Sequence, residues 1–411
     1  MSFLNAIRQG NWLNRRRVRD YPRIFLIVFV LFGVAWGFGL HQIISPEEEP
    51  IVTDFINVYS AGLAVHEGSP AEAYDWRKQK AREYKIEQSL QKEIKEKSGP
   101  DLLPWLYPPM FFGIAWLVAF LPYWSALAAY SLVGFVVYAV ALRKLAPPHK
   151  ESWAAVVAFP GAFINLFAGQ NGSITATLMA AGLYLLDTSP IAAGIILGAL
   201  SYKPHLFALI PLVLLVGGYW RALAAVCLSA CAYAGLSIIA FGPESWSAFF
   251  ESTALSSSLL KDDSIRWLGI LHSVFSAVRV FGGSISLAMV IQGIVALCVL
   301  AILIIIWREK TASLAVRGAS LAAAVLLISP YSFVYDQVLL AIPIALLAKE
   351  GIEKGFLSYE KTFLFALWLL PFLVQDSGIH FALPLTPPML IGLMAICWRK
   401  RVKKGLASVS L

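Results

Sequence analysis

The chain has 411 residues, 58% of them hydrophobic and 14% charged, a formal net charge of +8 and a mean hydropathy of +0.70. This composition excludes both a soluble globular protein and a disordered one and puts the chain in the polytopic membrane class. The positive charge does not point to nucleic acid. Arg15, Arg16, Arg17, Arg19 and Arg23 precede the first apolar run, and Arg399, Lys400, Arg401, Lys403 and Lys404 follow the last. Positive-inside orientation accounts for both clusters and puts both termini in the cytoplasm.

A helix needs roughly 20 apolar residues to cross a hydrocarbon core about 30 Å thick, and the sequence divides into about 11 to 14 hydrophobic elements. The first runs from about Arg23 to Ile44; its length and the lack of a small-x-small site predict an uncleaved anchor. After the acidic patch Glu47, Glu48 and Glu49, Asp54 stands at the mouth of this helix and leads a polar, aromatic loop through Asn57, Tyr59 and His66. Residues 45–104 form one long extracytoplasmic loop. Within it, the stretch Glu72 to Lys97 predicts a charged helix with a solvated face, stopped at Ser98-Gly99-Pro100.

The run after Tyr107 begins with Pro108-Pro109, which is tolerated at a helix start and places Tyr107 at an interface. Between Phe111 and Leu142, two apolar pieces flank Leu121-Pro122-Tyr123-Trp124. If both cross, the basic loop from Arg143-Lys144 to Lys150 lies outside, against the positive-inside rule; if one is short or re-entrant, as favoured here, that loop is cytoplasmic. Short, Gly- and Pro-interrupted segments follow up to Ala240, of the kind that line a cavity. A second polar loop, Phe241 to Arg266, carries Trp246 and the pair Asp262, Asp263, and a half-buried helix is expected over Trp267 to Phe281. Spans near Ile285 to Trp307, Leu314 to Ile328, Val334 to Leu347, Thr362 to Leu373 and Pro388 to Trp398 complete a single domain of 411 residues. Cys227, Cys231, Cys298 and Cys397 all lie in apolar segments and read as buried structural thiols.

A charge near the bilayer centre costs at least about 2.5 kcal/mol, so polar clusters at the ends of apolar runs are site candidates. The first is Asn165 with Gly169-Gln170-Asn171-Gly172, either a binding loop or a helix-capping turn. The second is Tyr202-Lys203-Pro204-His205, where Lys203 either grips a phosphate or snorkels to the surface. The third is Ser329 to Gln337, in which Asp336 is either a second functional carboxylate or a helix cap, with Tyr335 beside it.

The order of motifs resembles the integral-membrane glycosyltransferases of family 87 in the GT-C superfamily, which include the mycobacterial polyprenol-phosphate-mannose-dependent mannosyltransferases. The resemblance rests on Asp54-Phe55 with Tyr59 and Ala61-Gly62, Gly68-x-Pro70 with Tyr74-Asp75, Tyr107-Pro108-Pro109, and Gly169-Gln170-Asn171-Gly172. It continues through Ala193-Gly194 with Gly198 and Lys203-Pro204, Phe241-Gly242-x-x-Ser245-Trp246, and Ser273-Val274-Phe275. It implies an all-α, GT-C-like helical bundle in the cell membrane, a polyprenyl-phosphate sugar donor, a lipid or glycan acceptor on the extracytoplasmic side, and the first-loop Asp54 as general base.

Many members carry paired histidines where this chain has Tyr335-Asp336-Gln337, so roles assigned to those histidines do not carry over. The resulting expectation is an inverting transfer of a hexose such as mannose, with Asp54 catalytic and Tyr59, Tyr107, Gln170, Asn171, Lys203, His205, Tyr335 and Asp336 binding substrate. No cofactor is required, although Asp54 with Asp336 could hold a divalent metal if the fold joins them. A transporter or lipid flippase, the main rival, predicts paired repeats with matching broken helices, and no such symmetry is visible.

Overall fold

The computed structural model describes residues 3–37, 53–90, 104–259, 270–374 and 384–409. Apart from a single bridge between Leu271 and Phe333, the regular structure of the described residues is helical. The acidic patch at 47–49 and the Asp262-Asp263 pair lie outside these residues, as do the last turns expected of the charged helix.

Four helices are long and apolar enough to cross a membrane: Tyr123–Leu145, Glu151–Ala168, Trp220–Phe241 and Ile285–Arg308. Shorter apolar helices pack among them, including Gly172–Leu185, Pro190–Tyr202, Pro204–Val216 and Leu314–Ile328. Their brevity follows from the Gly and Pro residues that interrupt the apolar runs, and it is affordable because much of their surface faces other helices. Leu314–Ile328 is the most enclosed, with an unbroken buried run from Val316 to Leu327. Helices Pro190–Gly198 and Trp220–Phe241 approach closely through Gly194, where an added Cβ would lie 2.5 Å from the Ala222 carbonyl oxygen.

Helix Phe112–Val118 has 7 residues, about 10 Å at 1.5 Å per residue, too short to cross. Helix Tyr123–Leu145 begins against Tyr59 and Phe55, with ring centroids at 5.3 and 5.6 Å, and finishes at the opposite end, where Arg143 lies over the Trp153 ring. That second end also holds the N-terminal segment, where Tyr359 N–H donates to the Arg8 carbonyl and Trp12 Nε1–H to Thr362.

Several expected boundaries change. The first helix starts earlier, at Arg15, and is described to Gly37. The stretch after Asp54 is not a loop but helix Phe55–His66, followed by a short 3-10 turn Pro70–Tyr74 and helix Trp76–Leu90. This last helix is not merely solvated, because Gln79, Glu83 and Ile86 are buried. The "second polar loop" is largely helix Pro243–Leu259, and the following helix is short, Val274–Val280. Cys397 is buried, but Cys227, Cys231 and Cys298 are exposed on the outer faces of the two most apolar long helices, which corrects the expectation of buried thiols.

Candidate active site

Asp54 immediately precedes helix Phe55–His66 and is half-buried. Its carboxylate Oδ2 accepts a 2.9 Å hydrogen bond from Gln170 Nε2, across 116 residues of sequence. Gln170 can reach it because Gly169 ends helix Pro160–Ala168 in the left-handed region, at φ +65°, turning the chain sharply back. An added Cβ there would also lie 2.7 Å from Phe55 Cβ, so glycine allows the turn to sit against the first residue after Asp54.

The other side of the Gln170 amide, Oε1, accepts from the Tyr107 hydroxyl at 3.3 Å. Asp54, Gln170 and Tyr107 thus form one chain of bonds. Tyr107 is fixed by an aromatic group in which it meets Trp105 edge-on and Phe111 at a tilt, with centroids at 5.1 and 4.8 Å. Its carbonyl accepts from the Tyr74 hydroxyl at 2.7 Å, which ties the Tyr-Pro-Pro segment to the Pro70–Tyr74 turn. Asn171 is wholly buried beside the Tyr107 hydroxyl, but neither atom of its side-chain amide closes a hydrogen bond among the described residues.

Lys203 stands between the 3-10 turn Ala199–Tyr202 and a helix that starts at Pro204. It does not snorkel. Its Nζ lies 2.7 Å from Asp336 Oδ1, with side-chain exposures of 3% and 1%, and 5.4 Å from the centre of the Tyr335 ring. Asp336 combines the two roles left open by the sequence: Oδ1 pairs with Lys203 while Oδ2 accepts from the Phe333 backbone N–H, capping the 3-10 helix Val334–Leu340 from its third position. The carboxylate that might have shared a metal with Asp54 therefore meets a cation of the chain itself. Among the described residues no group of three or more His, Cys, Asp or Glu lies together.

The Asp54 and Lys203 groups are neighbours. Tyr107 and Tyr335 each lie within electrostatic range of both Asp54 and Asp336. The contact between the two groups is made at Gly172, where an added Cβ would lie 2.6 Å from the Tyr335 carbonyl oxygen and 2.7 Å from Asn165 Nδ2. Asn165 has a structural role: its Oδ1 accepts from Ser173 N–H at 2.9 Å and from Ser173 Oγ at 2.7 Å, closing the turn.

Two expected site residues stand apart from the bonded chain. Tyr59 donates its hydroxyl to the Leu121 carbonyl at 2.9 Å, so it braces helix Phe55–His66. His205 is exposed next to Lys203, within electrostatic range of Asp336. His66 accepts no place in the group either, since its Nε2 lies 3.0 Å from the Trp116 carbonyl.

Other polar groups at this end have partners or places that the sequence reading did not give. Asn57, one turn after Asp54, donates from Nδ2 to the buried Glu83 at 3.2 Å, and its carbonyl accepts from Gln79 at 3.1 Å. Burial pushes the Glu83 carboxyl up to about 8 against its ordinary 4.5, while the Asn57 bond acts in the opposite direction. Buried His272 and Thr386 also lie next to the Asp336 segment. A polar residue next to Ser273-Val274-Phe275 was the available signal for His272, whereas Thr386 lies just before the last expected span and carries no signal of its own.

The geometry offers a half-exposed carboxylate held by an amide, a buried cation a short way off, and aromatic walls between them. Set against known protein families, residues 105–330, more than half of the chain, match the model described as glycosyltransferase family 87. No curated protein and no solved structure matches the chain.

Proposed function

The chain belongs to glycosyltransferase family 87, a membrane glycosyltransferase, and on that premise we propose that it moves a hexose such as mannose from a polyprenyl-phosphate sugar to an extracytoplasmic lipid or glycan acceptor, with inversion. The observation that carries this reading is the convergence on one end of the bundle of Asp54, linked to Gln170 and Tyr107, with Lys203.

Asp54 takes the proton of an acceptor hydroxyl as that oxygen attacks the anomeric carbon. The bond from that carbon to the phosphate oxygen breaks, and polyprenyl phosphate leaves with the electron pair. Gln170 orients the carboxylate by donating to one of its oxygens, so the base does not have to be ordered at the moment of reaction. Lys203 meets the charge that grows on the leaving phosphate, an interaction stronger in the transition state than before it. Asp336 pairs with that cation in a buried setting. The exposed apolar faces of the long helices receive the polyprenyl tail. The arginine-rich end lies in the cytoplasm and the Asp54 end outside, which agrees with the distribution of Lys and Arg.

The test is transfer from a labelled polyprenyl-phosphate hexose by the purified full chain. Asp54→Asn is expected to lower kcat by about 10²–10⁴-fold, the usual worth of a general base, with donor affinity nearly unchanged. Turnover at the wild-type rate in that variant removes Asp54 from the role.

A further inference from the structure

Four buried polar side chains not used by the mechanism surround the segment that carries Asp336. His272 is 4% exposed, Ser332 1%, and Gln337 and Thr386 0%. The His272 backbone N–H donates to the Ser332 carbonyl at 2.7 Å, and Leu271 and Phe333 form an antiparallel bridge, so the backbone pins the imidazole beside residues 329–337. Gln337 follows Asp336 on the same 3-10 helix.

Hydrogen bonds link three of them. Gln337 Nε2–H donates to Thr386 Oγ1 at 3.0 Å, and Thr386 Oγ1 lies 3.4 Å from His272 Nδ1. A threonine hydroxyl that accepts from Gln337 still has its own hydrogen to give, and Nδ1 is the acceptor facing it. Burial pushes the imidazole down to about 4 and keeps the ring neutral; with the threonine hydrogen given to Nδ1, we assign its one hydrogen to Nε2. That Nε2–H has no hydrogen-bond partner among the described residues; nor do Gln337 Oε1 and Ser332 Oγ.

An unmet buried polar group costs about 1–3 kcal/mol, and native proteins hold only a few per 100 residues. Three around a single short segment call for a ligand. Their chemistry is mixed: an N–H that donates, a carbonyl that accepts and a hydroxyl that does both. A phosphoryl group, which only accepts, suits the first and is repelled by the second. Sugar hydroxyls, which donate and accept, suit all three.

We propose that His272 Nε2–H, Gln337 Oε1 and Ser332 Oγ form the subsite that recognises hydroxyl groups of the transferred sugar, with Thr386 as the positioning residue that fixes the His272 tautomer. The inference rests on the donor reading above and specifies what holds the sugar, as distinct from Asp54 and Lys203, which act on the acceptor proton and the phosphate.

The experiment compares binding of polyprenyl phosphate and of polyprenyl-phosphate mannose to the full chain in detergent. The wild type is expected to bind the sugar-bearing lipid more tightly. Thr386→Val, which keeps the side-chain volume, and Ser332→Ala should each cut that advantage by roughly tenfold for a lost bond, with affinity for the bare lipid phosphate unchanged. His272→Ala should do the same, and His272→Gln, which keeps an N–H, should recover part of the loss. Variants that lose affinity for both lipids in step, or for neither, overturn the subsite. If the folded wild type binds neither lipid, the donor reading falls and the subsite with it. Sugar discrimination that survives in Asp54→Asn while turnover is lost separates the subsite from the catalytic base.

Discussion

Two buried lysines, at opposite ends of the bundle, are paired in opposite ways. Lys400 sits between two carboxylates, Glu360 at 2.8 Å and Glu350 at 3.4 Å, with exposures of 8%, 0% and 6%. Those carboxylates are themselves engaged: Glu350 accepts from Ser313 Oγ at 2.6 Å, and Glu360 from Leu357 N–H at 2.7 Å. Lys203 has one carboxylate and the face of Tyr335, amid side chains with unmet hydrogen bonds. The first arrangement surrounds its cation with two carboxylates and clamps the last helix to the two helices before it, Ala341–Lys354 and Glu360–Val374. The second holds its cation with a single carboxylate, and in the function proposed above that cation is the one that meets the phosphate.

The sharpest way to break this comparison is to delete each cation. Removing one partner of a buried pair costs about 3–5 kcal/mol because a charge is left unpaired. Lys400→Met and Lys203→Met are therefore both expected to lower the unfolding midpoint in detergent. Only Lys203→Met should also weaken binding of a polyprenyl-phosphate sugar in the protein that remains folded. The double variant Lys203→Met with Asp336→Leu should recover most of the stability and none of the turnover. Altered donor affinity in Lys400→Met, or active double-variant protein, would erase the distinction between clamp and site.

A smaller effect is expected where the two halves of the site touch. At Gly172 a methyl group would press on the Tyr335 carbonyl and on Asn165, and both are held by backbone or by buried bonds. Gly172→Ala should cost about 1–3 kcal/mol, typical of overpacking, and should lower kcat more than stability, since it pushes Gln170 and Asp54 away from Lys203. Equal losses in both, measured by transfer rate and thermal unfolding, would mean that the contact serves packing alone.

The same position shows how far the sequence could be read. The elements were largely legible, because apolar runs, Pro-Pro starts and Gly stops are local signals: Leu314 to Ile328 was placed to the residue. The Gly-Gln-Asn-Gly turn and Lys203-Pro204 were legible as polar interruptions with a cost. Their partnerships were not, since Lys203 and Asp336 are separated by 133 residues and Gln170 and Asp54 by 116. No period or composition encodes such distances. Lys203 looked free to snorkel because its counter-ion is set only by packing, and Tyr59 looked like a substrate contact because its acceptor is a backbone carbonyl, which any residue supplies. The charged helix misled for the same reason. Lys, Arg and Glu on most of its surface announce solvent, and the single face that buries Gln79, Glu83 and Ile86 depends on what helix Phe55–His66 presents to it.

That face gives the smallest expected effect and extends the comparison to a third buried charge. Glu83 takes a hydrogen bond from Asn57 and sits one helical turn from Gln79, whose Oε1 is an unpaired acceptor. A protonated Glu83 can fill it, and burial favours that form, raising the carboxyl from 4.5 to about 8. The native chain then keeps a proton that the unfolded chain releases. Glu83 supports folding fully below about pH 4.5, and the support fades as pH rises towards about 8. Each unit of that displacement is worth about 1.4 kcal/mol at most. Glu83→Gln keeps the shape and the donor to Gln79 but cannot ionise. Its unfolding midpoint should therefore decline less than that of the wild type between pH 5 and pH 8, and above pH 8 the variant should be the more stable of the two. Parallel pH curves would show that Glu83 ionises freely in the native chain, and would make the outer helix the solvated surface that its composition suggests.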